Sequence, residues 1–530
     1  MKNRTSSQAQ NNSHASHTTT VYTTASLVTF LSVAERGLGF LYRIVLSRLI
    51  GAEGLGLYQV SLSLFSVFLT VGTGGIPITV SRLISKSKAE KDLRGESNAF
   101  SAGAVLSLLL TLPVLLVFLP FGERFTFLFS DVRAAEVFNI LLLGLAFSSL
   151  YAVIRGFLWG NKRFLTGSVL EIAEETVMVI AGVCLLRRAD SSLSGAKLAA
   201  WAVVISYLFS FTASALCYLF SGGRLSNPTK ALKPMLRSTM PITTVRASSS
   251  LVNSAVAVLL PAMLIRAGAT SSEALRLFGV VSGMAVPVLF IPATVIGSLA
   301  LVLVPELSED YYGKHSERLH KNLERGLRIA FLVACVLLPF FYALGNELGA
   351  LAFSDDLAGE IIVKGCVILL PMSLTMITTS MLNSMGYERQ TFIFYFIGAA
   401  VTWRCIVLLP AVCGVYAYVV GLGASFLINA VCNVVLLAQK CPKLFTKYGK
   451  RLAITGAKAL LAVLPLSLLG KLLSVLFSRV LSVFLSAVCT ALLLGAATAV
   501  LYFLLGIASV RGIKEACFAR KAKKSAKKQG

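Results

Sequence analysis

The sequence predicts an all-α integral membrane protein of about 14 transmembrane helices. Three observations lead there. Hydrophobic residues fill 56% of the 530 positions and charged residues only 14%, whereas a soluble globular chain has roughly 45–50% and about 25%. The apolar residues fall in runs near the roughly 20 that one helix needs to cross the hydrocarbon, including 101–119, 198–220, 329–345, 391–412 and 481–507. The formal charge of +25, from 49 Lys and Arg against 24 Asp and Glu, collects in alternate loops. On a soluble chain this excess would suggest nucleic acid; in alternate loops it marks the cytoplasmic face, and no nucleic-acid partner is expected.

Residues 1–21 are rich in Ser, Thr, Asn and Gln and lack the apolar core of a secretion signal. They are expected to form a disordered cytoplasmic leader. Spans are expected at 22–48, 56–83, 97–119, 136–157, 165–187, 198–220, 239–265, 276–304, 324–345, 361–385, 391–412, 415–438, 452–475 and 481–507. Cations crowd the loops 84–96, 221–237, 305–328 and 440–451 and the tail 508–530, while one intervening loop holds Glu347, Asp355, Asp356 and Glu360. The positive-inside rule then puts both termini inside a cytoplasmic (plasma) membrane. Breakers interrupt several spans: Gly72 to Pro77, Pro287, Pro292 and Pro371. Such residues serve as packing kinks or as openings where neighbours and cavity water satisfy the freed backbone.

Two short motifs recur. Arg82-Leu-Ile-Ser-Lys86 resembles Pro305-Glu-Leu-Ser-Glu309 at an offset of 223, and Gly160-Asn-Lys-Arg-Phe164 resembles Gly386-Tyr-Glu-Arg389 at 226. They predict two parallel six-helix lobes, 22–220 and 221–438, with two further helices over 439–507 and a basic cytoplasmic tail at 508–530. Parallel repeats of this kind build transporters that bind substrate between their halves.

Charges inside the spans mark the candidate site. Arg36 and Arg43 are seven apart and share a helix face, with Glu35 beside them. A central Arg costs about 2.5–3.5 kcal/mol on insertion scales, so it persists where it lines a water-filled cavity or has a partner. Arg48 and Arg266 are placed to snorkel to an interface. Arg246, in a stretch with Thr243, Thr244, Ser248, Ser249, Ser250 and Asn253, is the expected counterpart across the repeat. Glu171, Glu174 and Glu175 share another helix face; Glu174 and Glu175 are candidates, with Glu35, for a coupling-ion or counter-ion site. Arginines in a cavity imply an anionic substrate, because guanidinium forks match phosphate bidentately.

Ten Cys without a CxxC pair and four His, two of them in the leader, give no metal or disulfide framework. There is no GxxxxGK[ST], HExxH or GxSxG. Neither a cofactor nor an enzymatic activity is expected.

Gly39-Phe-Leu-Tyr-Arg43, Arg48-Leu-Ile-Gly-Ala-Glu-Gly-Leu-Gly-Leu-Tyr-Gln59 and Gly75-Ile-Pro-Ile-Thr-Val-Ser-Arg-Leu-Ile-Ser85 resemble the stage V sporulation protein B family of polysaccharide transporters. Arg155-Gly-Phe-Leu-Trp-Gly160, Phe278 to Pro287 and Leu303-Val-Pro-Glu-Leu-Ser308 extend the resemblance over roughly 22–440. That family is similar to the MurJ lipid II flippases of the multidrug/oligosaccharidyl-lipid/polysaccharide (MOP) exporter superfamily. The resemblance implies a MATE-like, two-lobed fold that moves an undecaprenyl-pyrophosphate-linked oligosaccharide by alternating access. It also implies a pyrophosphate site to which Arg43 and Arg48 correspond best and Arg246 approximately. The chain departs from its relatives at Asn253-Ser254, where an acidic residue is common, and at Met178, where a basic one is.

The function expected is therefore a lipid-linked oligosaccharide flippase, for lipid II or a related cell-wall precursor, with Arg36, Arg43, Arg48 and Arg246 holding the anionic head. Its partners would be the substrate, membrane lipid and cell-wall synthesis enzymes, and the protein would be a monomer. A cation-coupled drug exporter using Glu174 and Glu175, and a membrane-embedded glycosyltransferase, are the alternatives.

Overall fold

In a bilayer the backbone has no water to bond to, and a helix satisfies every interior amide within its own segment. The computed structural model describes the backbone of residues 2–92 and 94–507, and the side chains of 27–507 other than 93, 123 and 301. The first helices are α1 (Lys2–Thr73), α2 (Ile76–Ala89), α3 (Gly95–Phe118), α4 (Val132–Leu143), α5 (Leu145–Gly160) and α6 (Phe164–Leu186). Then come α7 (Ser192–Phe220), α8 (Thr229–Arg266), α9 (Ser271–Phe278), α10 (Val286–Leu289), α11 (Ile291–Tyr312) and α12 (Ser316–Leu348). The last are α13 (Asp356–Gly365), α14 (Leu369–Ser384), α15 (Glu388–Leu408), α16 (Pro410–Cys413), α17 (Tyr416–Lys440), α18 (Pro442–Ser478) and α19 (Val483–Leu504). The basic tail expected at 508–530 lies outside the described residues.

Two expectations can be set beside the backbone here. The leader expected to be disordered over 1–21 continues α1 as helical backbone from Lys2. No Gly or Pro occurs between Lys2 and Arg36 to stop a helix extending back from the apolar run. Among the described residues, 12 helices are long and apolar enough to cross a membrane, or up to 13 if the bent pair α4–α5 is one span, which bears out a many-span helical membrane fold without confirming the count of 14. Local causes account for the difference. Leu27–Ala89 counts as one helical stretch of 63 residues, about 95 Å at 1.5 Å per residue, although Gly51 (φ 68, ψ 178) breaks it. The 23-residue α6 is long enough but carries three carboxylates. In the opposite direction, the one span expected at 276–304 counts as two, Ser271–Leu289 and Ile291–Tyr312, because of a break at Phe290 between Pro287 and Pro292.

The repeat is visible in the backbone. Lys91 and Lys314, 223 residues apart, are both left-handed (φ 57 and 58). The next amide reaches back five residues in each turn: Asp92 N donates to Ser87 O and His315 N to Asp310 O, both at 2.9 Å. Lys162 (φ 59) and Gly386 (φ 86) close α5 and α14 the same way, 224 apart, with Arg163 N to Leu158 O at 2.8 Å and Tyr387 N to Leu382 O at 3.0 Å. Asp131 caps α4 and Asp355 caps α13, again 224 apart. The second offset, 226 by motif, is thus 224 by geometry.

Contacts divide the chain into two units, Met1–Gly279 and Val280–Gly530, whereas the sequence boundary was expected at 220/221. Hydroxyl and glycine contacts hold α8 in the first unit. Gly75 N donates to Thr243 Oγ1 at 3.1 Å, Ser66 and Ser250 hydroxyls are 3.1 Å apart, and Ser226 N donates to Ser101 Oγ at 2.9 Å. The first unit's core gathers Ile76, Val80, Phe100, Val153, Phe157 and Met235 from α2, α3, α5 and α8. In the second unit one core joins α11, α12, α14, α17 and α18. A second core packs α18 and α19 on α12 through Cys335, Ala343, Ala462, Leu466 and Leu494.

At one end of the first unit α9 crosses the second half of α1 with backbones touching. A Cβ on Gly56 would overlap the Leu275 carbonyl, and one on Gly279 the Ala52 carbonyl. A polar latch covers this crossing. Arg133 bonds Glu53 at 2.8 Å and Asp131 at 2.9 Å, the Ser271 hydroxyl donates to Asp131 at 2.6 Å, and Ser272 donates to Glu53. Burial pushes the Asp131 carboxyl up, but hydrogen bonds from Arg133 and Ser271 outweigh it and hold the group below its ordinary 3.8.

Overpacking usually costs about 1–3 kcal/mol, so Gly56→Ala is expected to lower the thermal midpoint in detergent. Gly37→Ala on the same helix, with nothing within 4 Å of its Cβ, is expected to leave it unchanged or raise it. Because the folded Asp131 group is depressed, its stabilisation is present above the ordinary value and is lost as pH falls through the folded one. Asp131→Asn should therefore be less stable than wild type at neutral pH, with the gap narrowing on acidification in a pH series of thermal scans.

Candidate functional site

The α1 helix carries two arginines one heptad apart, and the fold gives their face a polar cavity. Arg36, Tyr42, Arg43, Tyr58, Gln59 and Glu175 line a space of about 420 Å³ between α1, α6 and α7. Glycines make the room. A Cβ on Gly39 would come within 2.8 Å of Glu175 Oε1, and one on Gly182 would overlap the Tyr42 ring. Glu175 therefore lies directly against α1. Tyr58 and Glu175 are within electrostatic range of Arg43, yet no hydrogen bond or ion pair ties its guanidinium among the described residues. The Tyr42 hydroxyl on the same wall is buried and has no hydrogen-bond partner among them.

A second cavity of about 210 Å³ adjoins the first and shares Glu175 and Tyr207 with it. Glu35, Glu171, Glu174 and Arg155 complete its charged lining. Arg155 Nη1 is 3.2 Å from Glu171 Oε1, and its guanidinium lies 5.2 Å from the Trp159 ring and 5.9 Å from Tyr151. Four carboxylates thus face one guanidinium. Among the described residues they do not converge tightly enough to form a metal-ion cluster.

The structure brings Arg36 and Arg43 together with Glu175, and Glu35 together with Glu174 and Glu175. Arg48 and Arg246 line neither cavity. Both are exposed. Arg48 sits three residues before the Gly51 break on α1, and Arg246 is on α8, where its Cβ lies 3.6 Å from the Cβ position of Gly74. Arg155 was missed as a site residue. Its signal was present: an Arg inside an apolar run, with aromatic residues four positions away on either side, Tyr151 and Trp159. Chemically, the first cavity offers guanidinium donors to an anion, and the second offers carboxylates that can hold a proton or a cation.

Residues 21–310 match the family model described as polysaccharide biosynthesis protein. Stage V sporulation protein B of Bacillus subtilis (strain 168) is 25% identical over 335 residues, 60% of this chain and 63% of that protein, so the match spans under two thirds of the relative's length. Two solved structures share the fold. One is the inward-facing conformation of a multidrug resistance MATE family transporter of the MOP superfamily, with a TM-score of 0.65 at 17% identity over 78% of this chain and 96% of that one. The other is the lipid II flippase MurJ in an inward closed conformation, with a TM-score of 0.64 at 14% identity over 90% and 99%. Its structural neighbours are transporters and flippases, not enzymes. A family model that covers more than half of a multi-pass helical chain decides the assignment: the chain belongs to the polysaccharide biosynthesis protein family, in the MOP-transporter fold.

Proposed function

We propose that this protein translocates an undecaprenyl-pyrophosphate-linked oligosaccharide, lipid II or a related cell-wall or polysaccharide precursor, across the cytoplasmic membrane. The observation that carries the reading is Arg43. A guanidinium inside a membrane span, in a polar cavity with its donors untied, is costly unless an anion uses it. Arg43 and Arg36 hold the pyrophosphate, and Glu175 is the counter-charge that keeps the empty site tolerable. Arg48 and Arg246 meet the head at other stages of an alternating-access cycle. The polyprenyl tail stays in lipid, the termini face the cytoplasm, and the protein works as a monomer alongside cell-wall synthesis enzymes.

Glu35, Glu174 and Glu175 form the coupling site, with Arg155 as its fixed cation. A proton or cation taken up there weakens the hold of Glu175 on Arg43. A second reading, a cation-coupled drug exporter, draws on the same four-carboxylate cavity; it makes the carboxylates, not Arg43, the substrate contact.

In proteoliposomes carrying a fluorescent undecaprenyl-pyrophosphate-linked sugar, Arg43→Ala is expected to cut the flipping rate at least roughly tenfold, the scale of one lost charge-assisted contact. Arg43→Lys should retain part of it. Full flipping by the folded Ala variant, together with efflux of a cationic dye that Glu174→Gln abolishes, would favour the exporter. Glu175→Gln removes the counter-charge, so it is expected to bind undecaprenyl pyrophosphate about 5–10-fold more tightly while turning over more slowly. Unchanged affinity and rate would remove Glu175 from the cycle.

A further inference from the structure

The second unit holds another charged group, far along the chain from the site above. Glu324 on α12 is 3% exposed, and its Oε1 has no hydrogen-bond partner among the described residues. Two arginines approach that oxygen, Arg328 Nε at 3.6 Å and Arg451 Nε of α18 at 3.9 Å. Nearby, Lys447 is already matched by Glu317 at 2.8 Å. One carboxylate between two guanidiniums leaves a net positive charge. Both approach through Nε, and among the described residues their terminal Nη groups have no other partner.

Position gives this charge its meaning. Arg328 directly precedes the apolar run of α12, and Arg451 directly precedes that of α18. Arg328 is the last cation before the hydrocarbon on α12; on α18 Lys458 follows Arg451 seven residues later and donates to Leu505 O at 2.8 Å, so both arginines lie on the headgroup side of the span. Beside them lies an apolar pocket of about 320 Å³, with Arg328 at its edge, Phe331, Leu374 and Val434 in its walls, and α18 residues on both sides of Arg451, from Phe445 to Gly456, closing it. Gly449 and Gly456, seven apart on one face of α18, remove side chains from that wall; the nearest atom to a Gly456 Cβ position is the Phe331 ring at 3.6 Å. A slot lined almost wholly by apolar side chains, with Thr455 the one hydroxyl, and flanked by a surplus of guanidinium donors, has the chemistry of one lipid: an acyl chain in the slot and a phosphate at its mouth.

We propose that this pocket is a binding site for an anionic glycerophospholipid of the adjacent leaflet. Its phosphate is bound by Arg328 and Arg451, its acyl chain lies along Leu452 and Gly456, and Glu324 orients the two arginines. The site is separate from the Arg43 cavity and does not depend on the transport reading.

The test uses the full chain purified in detergent, with native mass spectrometry and thermal scans during titration with phosphatidylglycerol or phosphatidylcholine. Phosphatidylglycerol is expected to be retained and to raise the thermal midpoint, and phosphatidylcholine to do neither at equal concentration. Arg328→Gln with Arg451→Gln should weaken phosphatidylglycerol binding roughly tenfold. Gly456→Leu, which fills the slot and keeps every charge, should abolish it while the lipid-free midpoint stays within about 2 °C of wild type. Equal retention of the two lipids, or phosphatidylglycerol binding untouched by both variants, overturns the proposal. So does undecaprenyl phosphate displacing phosphatidylglycerol competitively from wild type but not from Gly456→Leu, because the slot would then hold a polyprenyl chain. If the double variant unfolds, the Gly456→Leu comparison decides alone.

Discussion

An arginine cannot be left in hydrocarbon, and the packing around α1 follows from where it puts Arg43. The guanidinium needs water, a counter-charge or both, and the first unit supplies them from α6. Glu175 can reach α1 only because Gly39 has no side chain, and Tyr42 can lie against α6 only because Gly182 has none. The close approach of α1 and α6 is thus set by small residues that make room for polar ones. A Cβ at Gly39 would displace the Glu175 carboxylate, and one at Gly182 would displace the Tyr42 ring. The cavity is the space this arrangement leaves, and its contents explain its shape better than apolar packing does.

The same economy governs Arg155. It meets Glu171 at 3.2 Å and lies over Trp159 and Tyr151, so its charge is met by an ion pair and its flat face by aromatic rings. Glu171 thereby finds a fixed cationic partner, while Glu174 finds the Ser210 hydroxyl. The three carboxylates of α6 look alike in sequence. In the fold they divide into one paired with Arg155, one bonded to Ser210 and one, Glu175, set against α1 at Gly39.

Much of this was readable beforehand because membranes simplify the physics. Length and apolarity locate spans, alternate-loop charge suggests sidedness, and a seven-residue spacing puts Arg36 and Arg43 on one face. What was not readable needed contacts between distant segments. The Gly56 and Gly279 crossing depends on two glycines 223 residues apart, and neither carries a local signal that differs from any other helix glycine. The placement of α8 in the first unit depends on hydroxyls such as Thr243 and Ser250, which sequence alone reads as a polar stripe without saying what it faces. Arg246 illustrates the limit. The repeat made it the counterpart of Arg43, but periodicity gives a helix face and not a neighbour.

Two cavities that share Glu175 and Tyr207 have a consequence for any transport cycle. A carboxylate between an arginine-lined space and an acid-lined space cannot satisfy both fully. When it is ionised and turned toward Arg43 it screens that guanidinium from an incoming anion; when it is neutralised from the other side, Arg43 presents its whole charge. On the proposed reading, occupancy of the acidic cavity and affinity of the basic one are linked, and linkage is reciprocal: an anion on Arg43 favours the state of Glu175 that has taken up its proton or cation. The side chain of one residue on α6 is the shared element, which is why its place beside Gly39 constrains the fold as much as the function.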